Sequence, residues 1–409
     1  MFDIFYKKPK IVTNADKIDN ILSRGVEDVF IKEDLRKKLL SGKELRVKFG
    51  IDPTGPNLHI GHAVVLRKLK DFQDLGHKII FIVGDFTAQI GDPSDKLEKR
   101  PFLSKEDIKE NLKTYKEQAG RIIDFKKADI CFNSKWLSKL NFYNVCELAE
   151  SFSVQQMSNR RNFKKRIEIG SEVSLREFLY PLMQGYDSVA VKADVEVSGF
   201  DQLFNLKAGR VIQRKYNMPE QDVLTCRMLE GLDGRKMSKS WGNVLNITDS
   251  ANDMFGKVMS INDDLIEKYF TLCTNKSIDE INKIKEDIEK GQNPMEAKML
   301  LAEEITSSYH KREKARSAKN HFLSVFSEKN TPNDEEMPRS FAKKGVKLFE
   351  VLLDFGIISS KGEFRRLIKN NSIKSTSLNK IVEDMDYSVK ESESFKIGKR
   401  RFLRVEIKN

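Results

Sequence analysis

A chain of 409 residues exceeds one ordinary domain, so two or three are expected, with at least one large enough to bury a substantial core. It is 33% charged, carries net +12 and is 39% hydrophobic, the profile of a soluble, folded, basic protein; such an excess suits a polyanionic partner such as nucleic acid, although a lysine-rich surface alone also produces it. Cys131, Cys146, Cys226 and Cys273 lie far apart with no CxxC or Cys/His cluster, and no run of about 20 apolar residues occurs, which argues against structural zinc, a disulfide scaffold, export and a membrane span and fits a reducing cytoplasm.

Residues 45–51, LRVKFGI, alternate apolar and basic side chains and end at Asp52-Pro53, a strand followed by a turn. His59 to Leu75 then has helical spacing through Val64, Val65, Leu69 and Phe72, with Gly76 as its stop. The run His77–Gly84 is almost wholly apolar after two residues and reads as a buried parallel strand, completing a βαβ unit. Helical segments follow near 105–124, 137–151 and 172–191, with strands expected at Asp129–Phe132, Ala193–Val197 and Val223–Met228. This alternation predicts an open α/β sheet of the Rossmann-like kind, with ligands at the carboxyl ends of its strands. From 245 to 326 the pattern is purely helical, 327–340 is a polar linker with two prolines, and 341–409 regains apolar periodicity as a small separate domain. The expected division is therefore 1–244, 245–326, 327–340 and 341–409.

Asp52–His62 reads DPTGPNLHIGH and holds two of only five histidines in the chain. His59 and His62 flank Gly61, whose missing side chain lets a flat group such as an adenine ring approach the backbone. The pair fits a metal site, a catalytic base with a helper, a phosphate clamp or a plain helix cap. Zinc needs a third ligand and usually i,i+4 spacing, neither of which is evident. Gly231–Ser240, GLDGRKMSKS, sets Lys236 and Lys239 in a glycine-rich loop, either a solvated basic surface or a closing lid over a triphosphate. No Walker A or GxGxxG pattern is present.

HIGH at His59–His62 and KMSKS at Lys236–Ser240 resemble the two signatures of class I aminoacyl-tRNA synthetases. That resemblance implies ATP as a substrate, with Mg2+ accompanying it, activation of an amino acid and its transfer to tRNA, with no protein-bound structural metal. It makes the two histidines a clamp on the α-phosphate, each contributing roughly 2–4 kcal/mol to the transition state. Thr54, His59, His62, Lys236 and Lys239 become the expected catalytic set, and Gly50, Asp52, Gly61, Lys236, Lys239 and Ser240 the ATP-binding set.

Leu179–Asp187, LYPLMQGYD, puts Tyr180, Gln184 and Asp187 at i, i+4 and i+7 on one helix face. Leu182, Met183 and Val189–Val191 surround them, so an inward polar group there needs partners, which a ligand can supply. The stretch resembles the substrate helix of tyrosyl-tRNA synthetases. The likeness implies that Tyr180 and Gln184 hold the α-amino end, that Asp187 accepts the phenol hydroxyl, and that Asp92 and Gln202 complete the tyrosine pocket. Three features depart from that family's pattern: Lys48 replaces a tyrosine that also bonds the hydroxyl, Asp95 replaces a glycine, and Ser198 and Phe200 alter a Gly-Gly turn.

Arg160, Arg161, Lys164 and Lys165 form a basic cluster, either a solvated helix face or a contact for the tRNA acceptor stem. Residues 341–409 carry 16 basic against 9 acidic side chains. The stretch Ser359–Ile368, with Arg365 and Arg366, resembles an S4-type RNA-binding domain of two short helices followed by strands that end at Arg401–Glu406. A cytoplasmic tyrosine–tRNA ligase, with tRNA, tyrosine and ATP as partners and a homodimeric state, is what the whole resemblance implies. The alternatives are a tryptophanyl relative, a catalytically idle RNA-binding protein on the same scaffold, and a nucleotidyltransferase of the HxGH type.

Overall fold

A computed structural model describes residues 10–94, 103–237, 241–327, 337–398 and 401–408. They fall into two compact units, divided between Ala315 and Arg316.

The first unit is built on a six-stranded sheet of order β1-β6-β5-β2-β3-β4, comprising β1 (Val26–Phe30), β2 (Arg46–Ile51), β3 (Lys78–Val83), β4 (Ala128–Phe132), β5 (Val195–Gly199) and β6 (Asp222–Cys226). All neighbours from β6 to β4 are parallel. The βαβ unit expected from the sequence is β2, the helix Ile60–Asp74 and β3, and β3 is buried along five of its six residues. After β4 the chain crosses to the other side of β2 and lays down β5. The strand order thus reverses at β2, and a crevice opens beyond the carboxyl ends of β2 and β5.

Several elements differ from the sequence expectation. Strand β1, Val-Glu-Asp-Val-Phe, had no counterpart in it; the strand is short, lies at the sheet edge and pairs antiparallel with β6. The segment 105–124 is two helices, Lys105–Leu112 and Tyr115–Gly120, and 137–151 holds one helix at Phe142–Ala149. The helix that carries Tyr180, Gln184 and Asp187 runs Leu175–Ala190, its start fixed by a Ser174/Glu177 capping box.

The helices from Ala251 to Tyr309 belong to the same compact unit as the sheet. One tie is Arg24, whose guanidinium donates to the carbonyls of Thr271 at 3.1 Å, Thr274 at 2.8 Å and Lys276 at 2.6 Å. These include carbonyls at the end of the helix Ile266–Cys273 that have no partner within it.

The second unit holds the helices Leu348–Asp354 and Lys361–Lys369 against a five-stranded sheet. Leu348, Leu352, Phe364, Phe395 and Leu403 are wholly buried in its core. A strand at Arg339–Lys343, ahead of both helices, pairs parallel with Arg401–Lys408 and begins inside the stretch read as linker. Its exposed residues alternate with half-buried ones, and five residues are too few for that period to stand out in a polar sequence. No helix among the described residues is long and apolar enough to cross a membrane.

Candidate active site

The crevice at the strand-order reversal is a cleft of about 270 Å³, lined by residues from the ends of β2, β3, β5 and β6 and from two helices. Thr54, His59, Gly61, His62 and Lys236 lie along it together with Asp52, Asp92, Tyr180, Gln184, Asp187 and Gln202. Gly50 lines it too. Nearly all residues expected at the catalytic and amino-acid sites therefore meet in one place; Lys239, Ser240 and Asp95 lie outside the described residues.

The Asp52–His62 turn is clamped from outside. The Tyr115 hydroxyl donates to the Gly55 carbonyl at 2.7 Å, and the Gln118 amide bonds both the Pro56 carbonyl and the Leu58 N–H. On the other side Ile60 N–H donates to the Leu245 carbonyl and Ile247 N–H to that of Leu58. The turn is thereby laced to the segment that follows the lysine loop.

Both histidines cap the helix that begins at Ile60. His59 Nδ1 accepts from the Gly61 N–H and His62 Nδ1 accepts from the His59 N–H, each at 3.2 Å. A ring nitrogen that accepts a backbone N–H carries no proton, so each neutral imidazole holds its proton on Nε2. Capping and phosphate binding are therefore compatible: the cap selects the tautomer whose Nε2–H is a donor. The rings lie 3.8 Å apart. A Cβ at Gly61 would sit 3.0 Å from the His59 ring, so only glycine leaves this pair undisturbed. Lys236 is carried by a loop braced by the Asn243 amide, which donates to the Asp233 carboxylate and to the Lys236 carbonyl. Its ammonium lies 3.8 Å from Asp201.

The opposite end of the cleft is a network of buried side chains. Asp52 accepts from the Thr87 hydroxyl at 2.7 Å and from the Tyr180 phenol at 2.9 Å. Thr87 accepts in turn from Asn133, whose amide also reaches Asp187 at 3.3 Å, and the Trp136 indole N–H donates to Asp187 at 2.7 Å. Burial pushes Asp52 up to about 7, with the charges of Asp92 and Asp187 adding to it. Burial likewise raises Asp187 to about 6, against the pull of the Lys48 ammonium and the bonds from Trp136 and Asn133. Asp92 accepts from the Gln202 amide at 2.6 Å and from the Ser94 N–H at 3.0 Å.

Thr87, Asn133, Trp136 and Gly84 are site residues that the sequence reading missed. A Cβ at Gly84 would stand 1.9 Å from Asp52 Oδ1 and 2.4 Å from the Thr87 hydroxyl, so this glycine is what lets the two meet. All four follow the carboxyl ends of β3 or β4, and that position is the signal that would have found them.

Lys48 lies wholly buried and is not among the cleft-lining residues. The basic cluster also needs correction. Arg161, Lys164 and Lys165 are exposed as expected, but Arg160 is turned inward. It donates to Asn205 at 2.9 Å and Ser94 at 3.1 Å and stacks on Phe204 and Phe163. Two aromatic rings and the Asn205 and Ser94 oxygens receive this guanidinium, and burial lowers it to about 10, with the charge of Asp92 opposing. Arg365 and Arg366 are exposed in the second unit, on a helix that buries Phe364 and Ile368. Among the described residues no group of three His, Cys, Asp or Glu side chains is arranged to hold a metal ion.

Comparison with known proteins agrees with this geometry. The family model described as tRNA synthetases class I (W and Y) matches residues 40–327. A tyrosine–tRNA ligase of Carboxydothermus hydrogenoformans is 45% identical over 398 residues, covering 94% of this chain and 96% of the relative. One from Thermotoga maritima is 44% identical over 389 residues, with the same coverages. A solved mitochondrial tyrosyl-tRNA synthetase of Aspergillus nidulans, C-terminally truncated, is alike in fold with a TM-score of 0.64 at 22% identity, covering 76% of this chain and 94% of that one. For the Archaeoglobus fulgidus tyrosyl-tRNA synthetase complexed with L-tyrosine the TM-score is 0.61 at 20% identity, over 75% of this chain and 100% of that one. With a reversal-point cleft that joins a HIGH turn to a buried acidic pocket, and with relatives this similar over nearly its whole length, the chain belongs to the class I tRNA synthetases of the tryptophan and tyrosine family.

Proposed function

We infer that the chain is a tyrosine–tRNA ligase. The observation that carries this is a single cleft with Nε2–H imidazole donors and a lysine at one end and a buried carboxylate, Asp187, at the other. In the first step a tyrosine carboxylate oxygen attacks the α-phosphorus of ATP, a P–O bond forms, and pyrophosphate leaves with the electrons of the broken bond. His59 and His62 donate to the α-phosphate oxygens as charge builds there, Lys236 and Lys239 neutralise the departing pyrophosphate, and the Ser240 hydroxyl of the same loop donates to it. Thr54, Gly50 and Gly61 form the wall against ATP, and Asp52, bonded to Tyr180 and Thr87, stands where that wall meets the amino-acid end. Mg2+ enters as the counter-ion of the triphosphate, part of the substrate. In the second step a ribose hydroxyl at the tRNA 3′ end attacks the activated carbonyl and AMP leaves.

Asp187 accepts the phenol hydroxyl, while Gln184, Tyr180, Asp92 and Gln202 surround the ammonium. Phenylalanine leaves Asp187 with only the Trp136 and Asn133 donors and one donor short; sites built to bond a substrate hydroxyl reject the analogue lacking it by roughly 10⁴–10⁵, a range for which tyrosyl enzymes are themselves the reference case. The exposed Arg161, Lys164 and Lys165 contact the acceptor stem, and Arg365 and Arg366 contribute to RNA binding from the second unit. Charge reversal at Arg161 and Lys165 is expected to weaken aminoacylation, more so at high salt, and to spare adenylate formation.

A homodimer in the cytoplasm completes the reading. Between residues 142 and 175, Phe142, Tyr143, Val154, Ile169 and Leu175 are each at least 64% exposed, an apolar surface that a partner copy would cover. Sedimentation across a concentration series tests it: a chain that stays monomeric at all concentrations removes the dimer.

The deciding experiment is ATP–pyrophosphate exchange with tyrosine, tryptophan and phenylalanine in turn. Exchange with tyrosine alone is expected. Exchange driven by tryptophan would move the chain to the other half of its family, and exchange with none of the three by folded protein would remove the ligase reading.

A further inference from the structure

Beneath the substrate helix lies an ion pair that the cleft does not touch. Lys48 on β2 and Glu196 on β5 are directly opposite in the parallel register, and their charged groups meet at 2.9 Å with side chains 0% and 1% exposed. The Lys48 ammonium also donates to the Gln184 carbonyl and to the Ser188 hydroxyl, both at 2.8 Å. Glu196 accepts from the Gln184 side-chain amide at 3.1 Å, from Ser188 at 3.3 Å and from Gln221. Burying two charges is costly unless each is fully bonded, and these are. The polar side chain they hold at the cleft wall is Gln184.

An ion-paired Glu196 carboxylate offers only acceptors. It therefore takes the NH₂ end of the Gln184 amide and leaves the oxygen as the end turned to the cleft. An amide oxygen attracts an ammonium group, whereas an amide NH₂ repels it. If Glu196 were neutral and able to donate, the amide would be free to reverse.

We propose that the buried Lys48–Glu196 pair is a positioning device for amino-acid recognition, which fixes the Gln184 amide with its oxygen toward the substrate ammonium. This rests on the reading of Gln184 as a ligand of the α-amino end. Lys48 thus serves the site through Gln184 rather than by touching the phenol.

The test compares L-tyrosine with 3-(4-hydroxyphenyl)propanoic acid, which lacks only the amino group. Kd is measured for both ligands in the wild type, in Lys48→Met/Glu196→Gln, in Lys48→Arg and in Gln184→Leu. At pH 8, where Asp187 stays ionised without help from the Lys48 ammonium, the preference of the neutral double variant for tyrosine is expected to fall about tenfold, the equivalent of one hydrogen bond to a charged group, with affinity for the des-amino acid nearly unchanged. In exchange assays KM for tyrosine rises while kcat holds. Lys48→Arg, which retains the ion pair, keeps the preference. A purely structural role would move both ligands together, and that outcome would overturn the proposal. So would an unchanged preference in the double variant while Gln184→Leu loses it. A preference that survives Gln184→Leu would instead remove Gln184 from the amino end and take the positioning role with it. If the double variant does not fold, Glu196→Asp carries the same comparison, since it keeps the charge but draws the carboxylate back from the Gln184 amide.

Discussion

The two ends of the cleft are built in different ways. At the phosphate end, donors come from one contiguous turn: His59 and His62 are three residues apart, and one helix start sets the ring tautomers of both. At the amino-acid end, Asp52, Thr87, Asn133, Asp187 and Trp136 come from four separate segments and are tied by side-chain hydrogen bonds. In the first arrangement the ring orientations are set by local backbone geometry, while Tyr115, Gln118 and the Leu245–Ile247 segment hold the turn as a whole in place. The second exists only when the sheet is assembled, and a change at any member passes to the next. A phosphate needs donors of one kind, which a helix start supplies; a phenol and an ammonium need particular acceptors at a set separation.

The largest effect that would test this contrast is expected at the phosphate end. His62→Ala should lower kcat for pyrophosphate exchange by about 10²–10³, the usual loss for one preorganised donor, and leave KM for tyrosine nearly unchanged. The lost cap should cost only about 1 kcal/mol of stability. Steady-state kinetics beside thermal unfolding separate the two contributions. A KM that rises as much as kcat falls would mean that the two ends are not independent.

At the amino-acid end Gly84→Ala is the corresponding test. Its Cβ would overlap Asp52 and Thr87 together, so overpacking should cost about 1–3 kcal/mol and raise KM for tyrosine, with chemical denaturation as the check. That Gly84 went unread in the sequence shows where legibility stops. The HIGH turn and the Tyr180/Gln184/Asp187 face were readable because each depends on spacing along one element. So was the parallel sheet, because β3 is an unbroken apolar run. Thr87, Asn133 and Glu196 are ordinary polar residues until the strand order sets them against Asp52, Asp187 and Gln184 of the cleft wall. Arg160 was misread because a run of basic residues does not say which one turns inward; Phe163, Phe204 and Asn205 decide that, and two of these are some 40 positions away. The strands β1 and Arg339–Lys343 are short and at least partly exposed, so neither could be read from period alone.

The smallest expected effect is the most discriminating, because it reads the buried network through one proton. In the proposed binding mode Asp187 accepts the phenol hydroxyl most strongly when ionised, and burial holds it at about 6. As pH falls through 6 the carboxylate protonates, and tyrosine affinity should drop by up to about tenfold per pH unit below that point. Asp52, at about 7, titrates nearby, so affinity for tyrosine alone does not isolate Asp187. The ratio of tyrosine to phenylalanine affinity does, because only tyrosine carries the hydroxyl that Asp187 accepts. Trp136→Phe removes the indole N–H that donates to the carboxylate at 2.7 Å. A bond that favours the charged form is lost, so the proton is held more tightly and the midpoint of the ratio should move to higher pH. Near pH 8, where Asp187 remains ionised in either protein, the same substitution should cost tyrosine only about 1 kcal/mol or less, since Asn133 and Lys48 still act on the carboxylate. Binding measured from pH 5 to 8 for both amino acids gives the two midpoints. A midpoint that does not move, with tyrosine affinity lost evenly across the range, would make Trp136 a packing residue and leave Asp187 without the coupling that sets this end of the cleft apart from the histidine end.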